Sequence, residues 1–425
     1  MAWDFDTDPE FQEKLDWVGE FVRKEVEPLD LVWPYDNYKP LDDEHRRIVD
    51  PLKQRVREQG LWACHLEPAL GGQGYGQLKL ALLNEILGRS AWAPTIFGTQ
   101  APDTGNAEII AHFGTEEQKA QYLQPLLDGE IFSCYSMTEP QGGADVSGFE
   151  TTAVRDGDEW VINGRKFFSS NARYATFCIV MAYTDKEVGP HKGMSMFLVP
   201  TDTPGLTIER NFALIHEPEE EGSEALIHYD DVRVPFTALL GDEGRAFEVA
   251  QVRLGGGRVH HAMRTVGLAQ RALDMMCERA LSRTTRGKPL ADRETVQTYI
   301  AESYAQLKQF RLFVLQTAWL IDKTKDYSQC RTDISAIKFL TPKVLHDIVQ
   351  RSIQVHGALG VTRSTPLHKM WVTAPVMGLV DGPTEVHLRQ VARGVLKGQH
   401  ATDGAWPTEF LPDKVEAAKR KLGLV

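Results

Sequence analysis

The chain has 425 residues, 42% hydrophobic and 25% charged, with 59 acidic against 47 basic side chains and a net charge of −12. That length supports two or three domains with substantial cores. The acidic balance argues against a nucleic-acid or anionic-membrane surface as main partner, since those need a basic footprint, but allows a small basic pocket for a phosphorylated ligand.

No apolar run is long enough to span a bilayer, so stable membrane insertion is not expected. The opening MAWDFDTDPEF is acidic and lacks a basic region followed by an apolar core, so no secretory signal is expected. Cys64, Cys134, Cys178, Cys277 and Cys330 are odd in number and scattered. This pattern suits reduced thiols in the cytoplasm, or in an organelle matrix after targeting. No His/Cys grouping has zinc spacing, and no metal is expected.

In chain order, Asp8-Pro9 predicts a capped helix start, followed by Phe11, Leu15, Val18 and Val22 at helical spacing. Asp42–Gln59 repeats the pattern and Gly60 stops it. The glycine-rich 70–76 stretch predicts a turn; no strand feeds it and no Lys-Ser/Thr follows, so it is not a phosphate loop. Helices are expected over Leu78–Ser90 and Gly105–Phe113, and from a Thr115 cap to Gly129 with Gln118 in the capping-box position.

From about Ile131 strands take over: Thr151–Val154, Trp160–Ile162, Phe177–Tyr183, Met194–Pro200, Ala225–Tyr229 and Val232–Val234. Turns are expected at 156–158, at Asn163-Gly164 and at 203–205. His216–Glu224 predicts a solvated acidic loop. After Gly244, long apolar stripes such as Val296, Ile300, Leu307, Phe310 and Val314 predict a bundle. The expected fold is therefore α+β and multidomain: an N-terminal helical domain (1–130), a middle β-barrel or sandwich (131–245) and a C-terminal four-helix bundle (246–425).

Several elements could carry chemistry. T-E-P-Q-G-G-A-D (138–145) follows a short strand, and its glycines let backbone approach a ring or phosphate. By strand alternation Phe168 and Ser170 share a face, an aromatic plate beside a hydroxyl. R-L-G-G-G-R-V-H-H-A-M-R (253–264) predicts a helix start near Arg258, because three glycines disfavour helix. It also gathers Arg258, His260, His261 and Arg264 within about two turns. S-R-T-T-R-G-K (282–288) is a basic connection, and I-Q-V-H-G-A-L-G (353–360) a helix ending at Gly357. In L-V-D-G-P-T-E-V-H (379–387), Asp381 is either a helix cap or, among apolar residues, a carboxylate of raised pKa able to act as a base.

Together, in this order, these motifs resemble the acyl-CoA dehydrogenase family from about Phe11 to Leu396. Y-S-M-T-E-P-Q-G-G-A-D, G-T-E-E-Q-K-A-Q-Y-L-Q-P-L and G-L-A-Q-R-A-L-D carry the likeness. Within the family, R-L-G-G-G-R-V-H-H and D-G-P-T-E-V-H resemble the subgroup represented by the dehydrogenase domain of eukaryotic kinase-like fusion proteins. The resemblance implies FAD held by Tyr135, Met137, Thr138, Gly143, Ala144, Phe168 and Ser170, with Ser170 near flavin N5. It implies Arg283, Gln354 and Gly357 on a neighbouring subunit's FAD, and Pro383 and Glu385 beside the cofactor. Ala144, Arg258 and Gly382 would meet the acyl-CoA, and Asp381 corresponds to the catalytic glutamate.

The chain also departs from the family pattern. Asp381 is a methylene shorter than Glu, roughly 1.5 Å of reach. Phe168 stands for Trp, Ala144 for Ser, Pro383 for Thr, and Arg286 for the Phe of an R-x-x-F motif. Position 257, which carries the base in some relatives, is Gly257.

The implied reaction is α,β-dehydrogenation of an acyl-CoA thioester, with electrons passing to an electron-transfer flavoprotein and the chain forming a homo-oligomer, tetramer or dimer. The glycines at 255–257 would open the acyl pocket, with His260 or His261 against a polar or branched acyl group. The Asp base also suits an oxygen-using flavoenzyme of the same fold, such as an acyl-CoA oxidase or a nitroalkane oxidase. The Asp, Phe and Ala departures suit a non-catalytic CoA- or flavin-binding scaffold.

Overall fold

The computed structural model describes residues 7–70, 72–402 and 404–424. The 70–76 turn is therefore described except at Gly71. Helix α1 (Pro9–Phe21) starts where Asp8 Oδ1 accepts from the Phe11 N–H at 3.0 Å. Its buried stripe of Phe11, Leu15, Val18 and Phe21 continues through a π-helical turn at Val22–Val26. Helix α2 (Asp43–Glu58) is capped by Asp42 and ends before Gly60, whose φ is +65°. Helices α3 (Gly76–Leu87) and α4 (Asp103–Phe113) follow. Thr115 and Gln118 form the expected capping box, and the run ends at left-handed Gly129.

The middle region is one curled seven-stranded sheet: β1 (Ser133–Ser136), β2 (Thr152–Asp156), β3 (Glu159–Ser170), β4 (Phe177–Tyr183), β5 (Met194–Pro200), β6 (Leu206–Phe212) and β7 (Glu224–Pro235). The path runs β1-β4-β2-β3-β7-β6, with β5 also on β4. β4 is parallel to β1 and β2; the remaining pairs are antiparallel. β4 is buried on both faces. Phe177, Ile179 and Met181 pack toward Ile109 and Ile110 of α4, while Cys178, Val180 and Ala182 pack with Trp160, Ile227 and Tyr229 inside the curl.

Three local expectations for the sheet are corrected. Asn163-Gly164 is no turn; it lies inside β3, where the register with β7 shifts. Gly164 adopts φ +147°, and a Cβ there would stand 2.5 Å from Thr151 Oγ1, so the strand passes through a bulge that only glycine fits. Ala225–Tyr229 and Val232–Val234 are one strand, bent at Asp231 (φ +49°), whose backbone N–H donates to Asn163 Oδ1 at 2.8 Å. The edge strand β6 went unread because polar residues interrupt its few apolar ones. Glu224, placed in a solvated loop, begins β7 and is buried.

Helix α5 (Ala246–Ser282) runs unbroken for 37 residues through Gly255, Gly256 and Gly257. The expected helix start near Arg258 is thus corrected. Each glycine costs about 1 kcal/mol against alanine in a helix, but α5 buries Val249, Val259, Ala262, Met263, Val266 and Leu273, and that packing overrides propensity. A two-stranded hairpin, β8 (Thr284–Thr285) with β9 (Lys288–Pro289), turns through Arg286 and Gly287, both at positive φ. Helices α6 (Glu294–Thr324) and α7 (Arg331–His356) pack with α5, and α8 (Leu367–Met377) and α9 (Thr384–Lys397) lie on α7. No described helix is long and apolar enough to cross a membrane.

Candidate active site

Asp381 lies in the link between α8 and α9, with Asp381 at φ +53° and Gly382 at φ +104°. It is not the helix cap; Pro383 occupies that position. Left-handed backbone at a non-glycine residue is strained and must be held by its surroundings. Here Arg258 Nε donates to the Asp381 carbonyl at 3.0 Å, and His387 Nε2 lies 3.3 Å from the same oxygen. Buried Lys338 donates to the Met377 carbonyl at the end of α8. Burial, with the nearby charges of Arg258 and Lys338, pushes His387 down to about 4, so the ring is neutral and its Nε2–H is the donor.

The Asp381 side chain is 14% exposed and faces His261 and Arg253. Oδ2 lies 3.2 Å from His261 Nε2, and Oδ1 lies 3.9 Å from Arg253 Nη1. Burial alone would raise its carboxyl pKa. The His261 hydrogen bond and the charges of His261, Arg253 and Arg258 outweigh burial and hold it well below the carboxylate range. The expected apolar setting and raised pKa are corrected: the neighbours that matter come from α5, far away in sequence.

Arg253 joins the three regions of the chain. Its Nε donates to Asn106 Oδ1 of α4 at 2.9 Å, and its guanidinium lies 3.9 Å over the Tyr135 ring of β1. Asn106 in turn donates to Ser133 Oγ at 2.9 Å. Burial pushes the Tyr135 hydroxyl up to about 12. Burial also pushes Glu108, on α4, up to about 8, which Arg253 only partly offsets. A Cβ on Gly256 would stand 2.8 Å from Glu108 Oε2. Neither Arg253 nor Glu108 was assigned a role from sequence; a lone Glu inside N-A-E-I-I was the only signal for the second.

On the sheet side, the loop after β1 is tied down by a buried ion pair. Lys166 Nζ lies 2.8 Å from both Glu139 Oε1 and the Met137 carbonyl, and Glu139 also accepts from the Glu150 and Thr151 backbone N–H groups. Phe167 N–H donates to the Thr138 carbonyl at 2.8 Å. Gly143 and Ala144 remain exposed at the loop's tip. A second register shift between Lys166 and Ser169 breaks the alternation on which Phe168 and Ser170 were placed together. Phe168 sits at φ +51°, 51% exposed, with its ring 4.2 Å from that of Phe167. Ser170 Oγ donates to the Glu224 carboxylate, 2.8 and 3.0 Å from its two oxygens.

The remaining residues lie apart from this cluster. Arg283 caps α5, Gln354 is exposed near the end of α7, Gly357 (φ +64°) caps α7, and Glu385 is exposed in the first turn of α9. Among the described residues, none of them hydrogen-bonds to Asp381 or to the loop after β1. His260 is buried, and burial together with Arg264 holds it well below its ordinary value. His261 is brought to Asp381, a contact the sequence did not suggest.

Sequence models of the acyl-CoA dehydrogenase N-terminal, middle and C-terminal domains match residues 8–130, 134–215 and 244–396. The chain belongs to the acyl-CoA dehydrogenase family. These are oxidoreductases, and this acyl-CoA dehydrogenase has the family's three-part fold: helical, curled sheet, helical. It is 43% identical over 379 residues to "Probable acyl-CoA dehydrogenase FadE2" of Mycobacterium tuberculosis, covering 87% of this chain and 92% of that protein. It is 42% identical over 357 residues to acyl-CoA dehydrogenase family member 11 of Homo sapiens, covering 83% of this chain but 45% of that protein. Butyryl-CoA dehydrogenase from Megasphaera elsdenii, 27% identical, superposes with a TM-score of 0.79 over 93% of this chain and 100% of that one.

Proposed function

We propose that the chain catalyses FAD-dependent α,β-dehydrogenation of an acyl-CoA thioester, with Asp381 as base for the α-proton and flavin N5 as hydride acceptor. The observation that carries this reading is the placement of Asp381, an almost buried carboxylate in a left-handed turn between α5 and the Tyr135 end of the sheet.

The sheet side fits FAD. Phe168 offers an uncovered aromatic face and Ser170 a half-buried hydroxyl, while the space beside Gly143 is open, the nearest atom to a Cβ there being Thr138 Cγ2 at 4.0 Å. Tyr135, Met137, Thr138, Gly143, Ala144, Phe168 and Ser170 would hold it, with Pro383 and Glu385 alongside. Arg283, Gln354 and Gly357 would serve a second subunit's FAD in a dimer or tetramer. Exposed Leu379, Val395 and Leu396 are suited to such contacts. When bound, FAD supplies the hydride acceptor.

Asp381 takes the α-proton on its carboxylate. His261, Arg253 and Arg258 keep that carboxylate ionised, which is the form able to accept a proton, but make it a weak base. A weak base needs the developing thioester oxyanion to be stabilised. The Gly382 backbone N–H has no acceptor among the described residues and can serve that oxygen. Arg258, Ala144 and Gly382 would meet the CoA side, and His260 and His261 the acyl group. An electron-transfer flavoprotein would take the electrons, and fatty-acid metabolism in the cytoplasm is the setting proposed.

Anaerobic titration with a panel of acyl-CoA thioesters, following flavin bleaching in wild type and Asp381→Asn, tests the reading. Full activity in the variant would remove Asp381 from the role of base. The low basicity of Asp381 favours a second reading, an oxygen-using enzyme acting on a more acidic carbon; peroxide formed without an added acceptor would support it. Purified protein without flavin absorbance would count against both and favour a binding scaffold.

A further inference from the structure

Away from the base, the proposed flavin seat contains a carboxylate that the reaction does not use. Glu224 opens β7 with its side chain buried, directly opposite Ser170 of β3 in the ladder. Ser170 Oγ is 2.8 and 3.0 Å from its two oxygens. One residue back on β3, Ser169 Oγ lies 3.0 Å from Ser136 Oγ of β1.

A serine hydroxyl has one proton to give. While Glu224 is ionised it can only accept, so that proton is committed to Glu224, and Ser170 Oγ can offer other neighbours lone pairs alone. Once Glu224 is protonated its own O–H can donate to Ser170 Oγ, and the serine proton is freed to donate elsewhere. We propose that Glu224 is a positioning residue for the bound isoalloxazine: it decides whether Ser170 donates to the ring's edge or accepts from it. This rests on the reading of Ser170 as a flavin contact.

The surroundings put this choice within the physiological range. Burial pushes Glu224 up to about 7; Ser170 and Ser223 hydrogen bonds oppose the rise, and the charge of Glu217 adds to it. Glu217 is itself engaged by Ser223 Oγ at 2.8 Å and by the Leu214 backbone. Buried Cys134 of β1 lies within electrostatic reach. The β6 residue paired with Glu224 is Phe212, which carries no charge. Arg173 is nearby but is turned to the Glu220 and Gly222 carbonyls.

The test uses FAD-loaded enzyme. Its visible absorption is recorded across about pH 5.5 to 8.5, a window that brackets the raised Glu224 carboxyl. Wild type should show one titrating spectral shift centred near the Glu224 value, and both Glu224→Gln and Ser170→Ala should lose it. A shift that persists unchanged in either variant, or a wild-type spectrum that does not vary with pH, overturns the proposal. Ser170→Ala leaves Glu224 and the backbone ladder in place, so it decides the matter alone if Glu224→Gln takes up no FAD. Flavin stoichiometry separates the two levels: wild-type protein that binds no FAD overturns the underlying reading and this proposal together.

Discussion

Gly257 and Asp381 fit against each other: a Cβ on residue 257 would lie 2.6 Å from Asp381 Oδ2. The missing side chain on α5 is what lets the carboxylate reach His261 and Arg253. A glycine that costs the helix propensity thus serves the site. Gly257→Ala should raise the melting temperature slightly, since alanine favours helix by about 1 kcal/mol, while lowering kcat at least tenfold with flavin retained. Unchanged turnover would show that the seat of Asp381 against α5 is dispensable.

The His261 contact helps hold the Asp381 carboxyl low. Removing it takes away the foremost influence opposing burial, so the Asp381 carboxyl should move up in His261→Ala. An acid must lose its proton before it can act as base, so the acid limb of kcat/KM should shift to higher pH in the variant. Overlapping pH profiles would dissociate His261 from the base.

The ion pair beneath the loop after β1 is a stability element, with Lys166 and Glu139 side chains 0% and 1% exposed. Lys166→Met strands a buried carboxylate and should destabilise the fold by about 3–5 kcal/mol. Adding Glu139→Gln should recover part of the loss, because no uncompensated charge then remains. Urea denaturation of the two variants and the single Glu139→Gln measures this; strictly additive effects would refute a coupled pair.

Glu108 offers a pH-linked stability effect. Its folded pKa is pushed up to about 8 from an ordinary 4.5. Between those values the folded state holds a proton that the unfolded state releases, so this group's contribution is full below about pH 4.5 and is lost as pH rises toward 8. Glu108→Gln removes that loss. The melting-temperature difference, variant minus wild type, should therefore grow from about pH 5 to pH 8. A constant difference would mean that Glu108 ionises normally.

Gly164 carries the first bulge of β3 and has the backbone of Thr151 against it, 2.7 Å from a Cβ to Thr151 Cα. Gly164→Ala should cost about 2 kcal/mol or more, because neither φ +147° nor the contact suits a side chain. Thermal unfolding without loss of stability would show that the strand can re-register.

Much of the fold was legible because it is written locally. Asp8, Asp42 and Thr115 cap helices through their own neighbours, and Gly60, Gly129 and Gly357 end them. The errors came where a distant partner decides. Asn163-Gly164 has the composition of a turn, but β7 pairs across it; the triple glycine disfavours helix, but the packing of α5 holds it helical. Within the site, Thr138, Gly143 and Asp381 stood out as motif residues. Arg253 and Glu139 lay inside quoted motifs without a role, and Glu108 stood in none of those singled out, since each matters through what it faces.

The sequence by itself determined the order of helical, β and helical regions and the family, and singled out the Asp381-Gly382 turn, because periodicity, caps and turn chemistry are properties of short stretches. Tertiary structure alone decided the electrostatic setting of the Asp381 carboxylate. Its charge partners lie on α5, its neighbour Gly257 is more than a hundred residues away in the chain, and burial and cations compete over one carboxyl. Electrostatics depends on distance in space, and only the folded chain supplies those distances.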